Sequence, residues 1–263
     1  MDVRVENTVL EQLFLALHHL SALDQFRCGS TSADYARVGV LAWYYGITNA
    51  ASAMTAAQSG SFQEDHAGTA RLWDEQIARR GLALAPFSWR VSSLVDKTCK
   101  AEVDALRNGS PAKLQTRPVT KSDALGAAAS YLSGSAKWYA RKTEGDLKGN
   151  RAFKALGVTD FRSKDARALR DVWFKRRPIG FLHQAARYRG KANYREALFL
   201  AYGANTEATL SGFLDDMYLV LRAFLAMAGA FGRRKLGDKL WADFVSDVDL
   251  ESAFKARATD VWS

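Results

Sequence analysis

Apolar residues recur along this chain at the three- and four-residue spacing of amphipathic helices, not at the alternation of strands. A helix predicted over 9–24 carries an apolar stripe of Leu10, Leu13, Phe14, Leu17 and Leu20. The clearest stripe lies on a helix predicted over 207–231 and consists of Leu210, Leu214, Met217, Leu221, Phe224 and Ala228. Further helices are predicted over 33–58, 62–80, 87–107, 123–142, 164–176, 179–190, 193–202, 236–245 and 247–257. Because no segment alternates, we expect an all-α fold, a single helical bundle.

Helix starts are indicated by a hydroxyl followed three residues later by a carboxylate, a pair that can satisfy free backbone donors. The pattern begins at Thr8, Thr31, Ser61, Thr120 and Ser246. The polar, proline-containing stretch 108–121 predicts an exposed connector, and the glycine-spotted, basic stretch 143–161 predicts a long loop with some local order. The connector is a candidate boundary between two lobes. One domain over 1–263 is favoured, since no segment alone buries all its apolar faces.

Composition supports a globular core, with 48% hydrophobic residues, seven Trp and fourteen Phe. The net charge of +9 is unevenly distributed. Residues 137–195 contain seventeen Lys and Arg against five Asp and Glu, a local balance of +12, so the remainder of the chain carries −3. This concentration predicts an acidic partner, with nucleic acid first.

Several classes of protein and site are disfavoured. Cys28 and Cys99 form no CxxC pair, which argues against a disulfide framework or a cysteine zinc site and favours reduced thiols. The charged start MDVRVENT has no apolar signal region, and the apolar window 217–231 is short and broken by Arg222, so we expect a cytoplasmic protein without membrane contact. No phosphate-cradling glycine loop, HExxH or GxSxG occurs, so neither metal nor cofactor is expected. His66 is interpreted as part of a capped, exposed first turn.

The segment 173–202, WFKRRPIGFLHQAARYRGKANYREALFLAY, interleaves cations with aromatic residues. Arginine grips phosphate in a bidentate manner, and aromatic faces stack on unpaired bases. The candidate nucleic-acid-binding residues are Lys175, Arg176, Arg177, Arg187, Arg189, Lys191, Asn193 and Arg195. For Trp173, Tyr188 and Tyr194, core packing and base recognition remain alternatives.

Four short motifs carry a family resemblance: YYGITNAASAM at 44–54, HAGTARLWDEQI at 66–77, PFSW at 86–89 and RYRGKANYREA at 187–197. They resemble the HEPN domain superfamily, helical RNA- and nucleotide-associated domains of prokaryotic defence and toxin systems. The resemblance covers about 33–205, which leaves a C-terminal helical extension of about 206–263. It implies an all-α bundle that often forms a homodimer. In active members it also implies metal-independent RNA cleavage by an R-x(4–6)-H motif.

The sequence departs from that motif where the histidine is expected. Arg189 aligns with the motif arginine, but Tyr194 stands in the histidine position. A tyrosine, with a reference pKa near 10, is a poor general base at neutral pH. His183 lies on the other side of the arginine, against the family order. The catalytic candidates of an active enzyme are therefore Arg189 with Tyr194 or His183.

The basic segment together with this resemblance implies a non-cleaving subunit that binds RNA or another nucleic acid in a prokaryotic defence or toxin–antitoxin system. One alternative is a metal-independent ribonuclease of the same family. Another is a helical interaction subunit whose basic face binds an acidic protein, with the helix over 207–231 serving as an oligomer interface instead of core.

Overall fold

The structure, a computed structural model, describes residues 1–28, 32–114, 116–194 and 207–262. Of these residues, 75% are helical and 2% lie in strands, which confirms the all-α prediction. The helices are α1 Val3–Cys28, α2 Ala36–Ser59, α3 His66–Trp73, α4 Asp96–Arg107, α5 Lys121–Lys148, α6 Arg151–Lys154, α7 Lys164–Lys175, α8 Phe181–Tyr194, α9 Glu207–Leu236, α10 Asp238–Glu251 and α11 Ala258–Trp262. A 3₁₀ turn, Ser32–Tyr35, precedes α2, and a π-helical turn, Asp74–Ala78, continues α3.

The chain forms two compact units. Unit 1 comprises 1–84 and 185–263, and unit 2 comprises 85–184. The connector 108–121 lies inside unit 2, so it is not the boundary between them. The boundaries fall just before Ala85 and within α8. The single domain over 1–263 stays a prediction.

Unit 1 is built on the packing of three long helices, α1, α2 and α9. The apolar stripe predicted on α9 is confirmed, because Leu214, Leu221 and Phe224 are completely buried. Small residues on α2 allow α9 to approach closely: a Cβ on Gly46 would lie 2.8 Å from a methyl carbon of Leu221. At the C-terminal end, the Trp262 indole donates a 3.0 Å hydrogen bond to the Leu225 carbonyl and fixes α11 against α9.

Unit 2 holds its own core between α4, α5 and α7. Its buried members are Val91, Leu94, Val103, Ala129, Leu132, Ala136, Tyr139, Phe174 and Ile179. Two short antiparallel strands, β1 Arg90–Val91 and β2 Ile179–Gly180, lie beside it. Strands of two residues are too short to show alternation in the sequence, and they leave the fold class all-α.

Two predicted segments are corrected in unit 2. The helix predicted over 87–107 begins only at Asp96, because β1 occupies its first part. The loop predicted over 143–161 is largely helical, since α5 continues to Lys148. Thr143 and Leu147 are buried at helical spacing, and this burial outweighs the roughly 1 kcal/mol that a helical glycine such as Gly145 costs.

Of the predicted caps, the pair Thr120–Asp123 is confirmed as a reciprocal capping box at the start of α5. Thr8 and Ser246 instead lie inside α1 and α10, and Ser61 precedes a helix that Asp65 caps. Thr31 lies outside the described residues. None of the helices within the described ranges combines the length and the apolar character needed to cross a membrane.

Candidate nucleic-acid interface

Arg189 on α8 lies over the face of Tyr44 on α2, with the guanidinium carbon 4.7 Å from the ring centre. Tyr44 is buried, with 2% of its surface exposed, so the cation rests on a desolvated ring. The Nε of Arg189 is buried and has no hydrogen-bond partner. No carboxylate of a described residue pairs with this guanidinium. Among the described residues, no carboxylate neutralises this fixed positive charge, which favours binding of an anion.

His66 contacts the same tyrosine from the start of α3. Its ring centre lies 5.2 Å from that of Tyr44 and 5.5 Å from that of Tyr45. Asp65 fixes this helix start, because its carboxylate accepts a 2.7 Å hydrogen bond from the Gly68 N–H. Burial lowers the pKa of His66, and the charge of Arg189 lowers it further, while Asp65 acts in the opposite direction. His66 is thus a neutral imidazole at pH 7, able to accept a proton.

Tyr45 and His19 extend the group toward solvent. Tyr45 is 37% exposed, and its ring stacks against His19 at a centre distance of 5.8 Å. Burial, and then the neighbouring His18, lower the pKa of His19. We call these five residues, Arg189, Tyr44, His66, Tyr45 and His19, the Arg189 cluster. All five belong to unit 1.

Tyr44 contacts both Arg189 and His66 through its ring. Burial raises the pKa of the Tyr44 phenol, although the nearby Arg189 charge acts to lower it. A phenol with a raised pKa stays protonated at neutral pH, so it is not a base there. Its contribution is to hold Arg189 and His66 on one rigid surface, anchored by the packing of α2.

The other predicted binding residues are distributed over both units. Lys175 and Arg176 are exposed at the end of α7 in unit 2, and Arg177 lies 5.7 Å from the centre of the Tyr139 ring. Arg187 is half-buried on α8 in unit 1. The side chains of Lys191, Asn193 and Tyr194, and the whole of Arg195, lie outside the described residues. Trp173 is 46% exposed in unit 2.

His183 has a local structural task in unit 2. Its Nδ1 accepts a 3.3 Å hydrogen bond from the Gly180 N–H, and its carbonyl accepts one of 3.0 Å from the Tyr139 hydroxyl. The first of these bonds links β2 to the start of α8, and the second joins α8 to α5. The histidine that contacts the same tyrosine ring as Arg189 is His66. From the sequence, His66 was interpreted as part of an exposed turn.

His66 could not be identified from the sequence as a neighbour of Arg189. The two residues come together only because α3 and α8 both contact Tyr44 on α2. The available signal was its position in the motif HAGTARLWDEQI, beside the motif containing Tyr44 and Tyr45. Within the described ranges, no group of three His, Cys, Asp or Glu side chains is arranged to hold a metal ion.

The chain was compared with protein-family models, curated proteins and solved structures. No family model matches it, and no curated protein or solved structure matches it significantly. The resemblance to the HEPN superfamily therefore rests on the four motifs quoted above.

Proposed function

We propose that the protein binds single-stranded RNA, with Arg189 receiving a phosphodiester group and Tyr45 stacking on an unpaired base. The observation that carries the proposal is the guanidinium of Arg189, held over Tyr44 without a carboxylate partner among the described residues. An arginine in such a position binds phosphate more strongly than a solvated one, because less water must be displaced. Tyr45 is 37% exposed and contacts both His66 and the ring of Tyr44 that carries Arg189, so its exposed part is the candidate stacking surface for a neighbouring base.

Fluorescence anisotropy with a labelled single-stranded RNA of mixed sequence tests this proposal. Arg189→Ala is expected to weaken binding at least tenfold. Tyr45→Ala is expected to cost roughly 1–3 kcal/mol, the usual contribution of a stacked base. Two matched controls should stay within about twofold of wild type: Arg234→Ala removes another cation that lies over a ring, and Tyr35→Ala removes another exposed tyrosine. Equal losses in variants and controls would contradict the proposal.

A second candidate function is metal-independent RNA cleavage, and the proximity of His66 to Arg189 favours it. In this reaction the neutral His66 removes the proton from a ribose 2′-hydroxyl, and the 2′-oxygen attacks the adjacent phosphorus. The bond to the 5′-oxygen breaks, and that oxygen takes a proton from solvent, leaving a 2′,3′-cyclic phosphate and a 5′-hydroxyl. Arg189 stabilises the charge that develops on the phosphate oxygens.

The cleavage candidate is tested with end-labelled RNA in EDTA. His66→Gln and Arg189→Ala should abolish cleavage, whereas His183→Gln should retain it. A substrate with one 2′-deoxyribose should resist cleavage at that position. Intact RNA after incubation with wild-type protein would leave binding alone as the function.

The wider context of this proposal follows the motif resemblance: a subunit of a prokaryotic defence or toxin–antitoxin assembly. Both cysteines are free, which fits a reducing compartment such as the cytoplasm. If the purified protein instead captures an acidic protein and binds no RNA, the interaction-subunit alternative is favoured.

A further inference from the structure

Unit 2 contains a cleft of about 600 Å³ between α4, α5 and α7. This volume lies within the range of small-molecule sites. Its inner wall is apolar and includes Leu94, Val103 and Phe174, all of which are buried. Part of the accessible lining is therefore apolar and can contact a planar or apolar group.

Cations surround this apolar wall. Lys100 and Arg107 come from α4, and Lys137 and Arg141 come from α5, each pair at helical spacing. None of the four forms an ion pair with a described residue. A fifth cation, Arg170, is by contrast held by Glu144 at 3.5 Å and Asp171 at 2.9 Å.

The carboxylates that line the cleft do not neutralise the positive charge of its cations. Asp96, Asp104 and Glu144 line the cleft against five cations, so the lining is positive, and Glu144 is already paired with Arg170. Charges of one sign facing a low-dielectric wall concentrate the field and attract ligands of the opposite charge.

The guanidinium of Arg107 has a hydrogen-bond donor without a partner among the described residues. One of its terminal nitrogens donates a 3.2 Å hydrogen bond to the Ser130 hydroxyl, while its buried Nε has no hydrogen-bond partner. A partly desolvated guanidinium of this kind binds a phosphate group favourably.

Cys99 provides a reporter inside the cleft. Burial raises the pKa of its thiol, as do Glu102 and Asp96, while the nearby ammonium of Lys137 acts in the opposite direction. Cys99 and Lys137 both line the cleft, so the thiol and the cationic rim belong to one site.

We propose that this cleft binds an organic phosphate of mononucleotide size. The apolar wall takes the base, and the four cations bind the phosphates. This site lies in unit 2 and does not depend on the function proposed for the Arg189 cluster in unit 1.

Isothermal titration of the full chain with ATP, tripolyphosphate and adenosine tests the proposal. ATP is expected to bind more tightly than either of the other two, because only ATP occupies both the rim and the wall. The double variant Lys137→Glu/Arg141→Glu should weaken ATP binding at least tenfold. A matched double variant on the same helix, Lys121→Glu/Lys148→Glu, changes the charge equally outside the cleft and should stay within twofold of wild type.

A second measurement tests whether ATP binds in this cleft. In a Cys28→Ser background, saturating ATP should slow labelling of Cys99 by a thiol reagent at least fivefold. The proposal is overturned by any of four results: no ATP binding, equal losses in both double variants, tripolyphosphate binding as tight as that of ATP, or labelling of Cys99 that ATP does not change.

Discussion

Arg189 lies with its guanidinium carbon 4.7 Å from the centre of the Tyr44 ring, and the same ring contacts His66. Three helices meet at this tyrosine: α2 supplies the ring, α8 the cation and α3 the imidazole. A cation and a neutral base are thereby held on one surface, although they are far apart in the sequence.

The Tyr44 ring, and not its hydroxyl, is expected to support RNA binding. Tyr44→Phe keeps a face for Arg189 and should stay within about twofold of wild-type RNA affinity. Tyr44→Ala should lose Arg189-dependent binding and destabilise the fold by about 3–5 kcal/mol, because it empties a buried aromatic site. Anisotropy and urea unfolding measure the two effects. A loss of affinity in Tyr44→Phe as large as that in Tyr44→Ala would show that the hydroxyl is needed.

The titration of His66 is expected to depend on Arg189. Burial is the larger cause of its lowered pKa and the Arg189 charge the second, so Arg189→Ala should raise the His66 pKa toward 6.5 without restoring it fully. Proton NMR of the imidazole measures this shift, and Arg234→Ala should leave the pKa unchanged. A His66 pKa that is the same in wild type and in Arg189→Ala would show that the two groups do not interact.

Acid should reduce stability through the same histidine. A group whose pKa is lower in the folded state contributes stability above its unfolded pKa, and that stability is lost as pH falls through the folded pKa. Both His66 and His19 have lowered pKa values, so the free energy of unfolding should fall as pH decreases below about 6.5. His66→Gln should show a smaller decrease over that range in urea titrations. An identical pH profile in wild type and variant would contradict this account.

Two glycine substitutions are predicted to have opposite effects on stability, because Gly46 lies where α2 packs closely against α9 and Gly145 lies in open space. Gly46→Ala places a Cβ 2.8 Å from Leu221 and should destabilise the protein by about 1–3 kcal/mol. Gly145→Ala on α5 meets nothing within 4 Å and should stabilise it by up to about 1 kcal/mol. Urea unfolding measures both. A neutral Gly46→Ala would mean that α9 moves aside at little cost.

The helix caps give a further comparison. Thr120→Ala removes the confirmed capping box of α5 and should cost about 1 kcal/mol. Ser246→Ala alters the same sequence pattern inside α10, where no free helix end needs a cap, and should change stability by less than about 0.5 kcal/mol. Equal costs would show that the pattern, and not its position, determines stability.

These caps also show how much of the fold can be predicted from the sequence alone. The pattern at Thr120 and the pattern at Ser246 are chemically equivalent, and only the surrounding fold decides which one caps a helix. Long apolar stripes such as that of α9 were predictable because burial of one helical face is a periodic, local signal. The end of α5 was not, because burial of Thr143 and Leu147 in unit 2 outweighs the glycines nearby.

The candidate site also contains one residue that the sequence identified and one that it did not. Local charge and the surrounding motif singled out Arg189 in the sequence. The grouping of His66 with Arg189 on the Tyr44 ring could not be predicted, because it joins segments distant in sequence.

The salt dependence of RNA affinity tests the central claim most directly. Each phosphate neutralised on a single strand contributes about 0.7 to the slope of log affinity against log salt concentration. If Arg189 binds one phosphodiester group, Arg189→Ala should lower that slope by about 0.7 and weaken binding at least tenfold, while Arg234→Ala leaves the slope unchanged and the affinity within about twofold of wild type. The same slope and affinity in Arg189→Ala as in wild type would contradict the account.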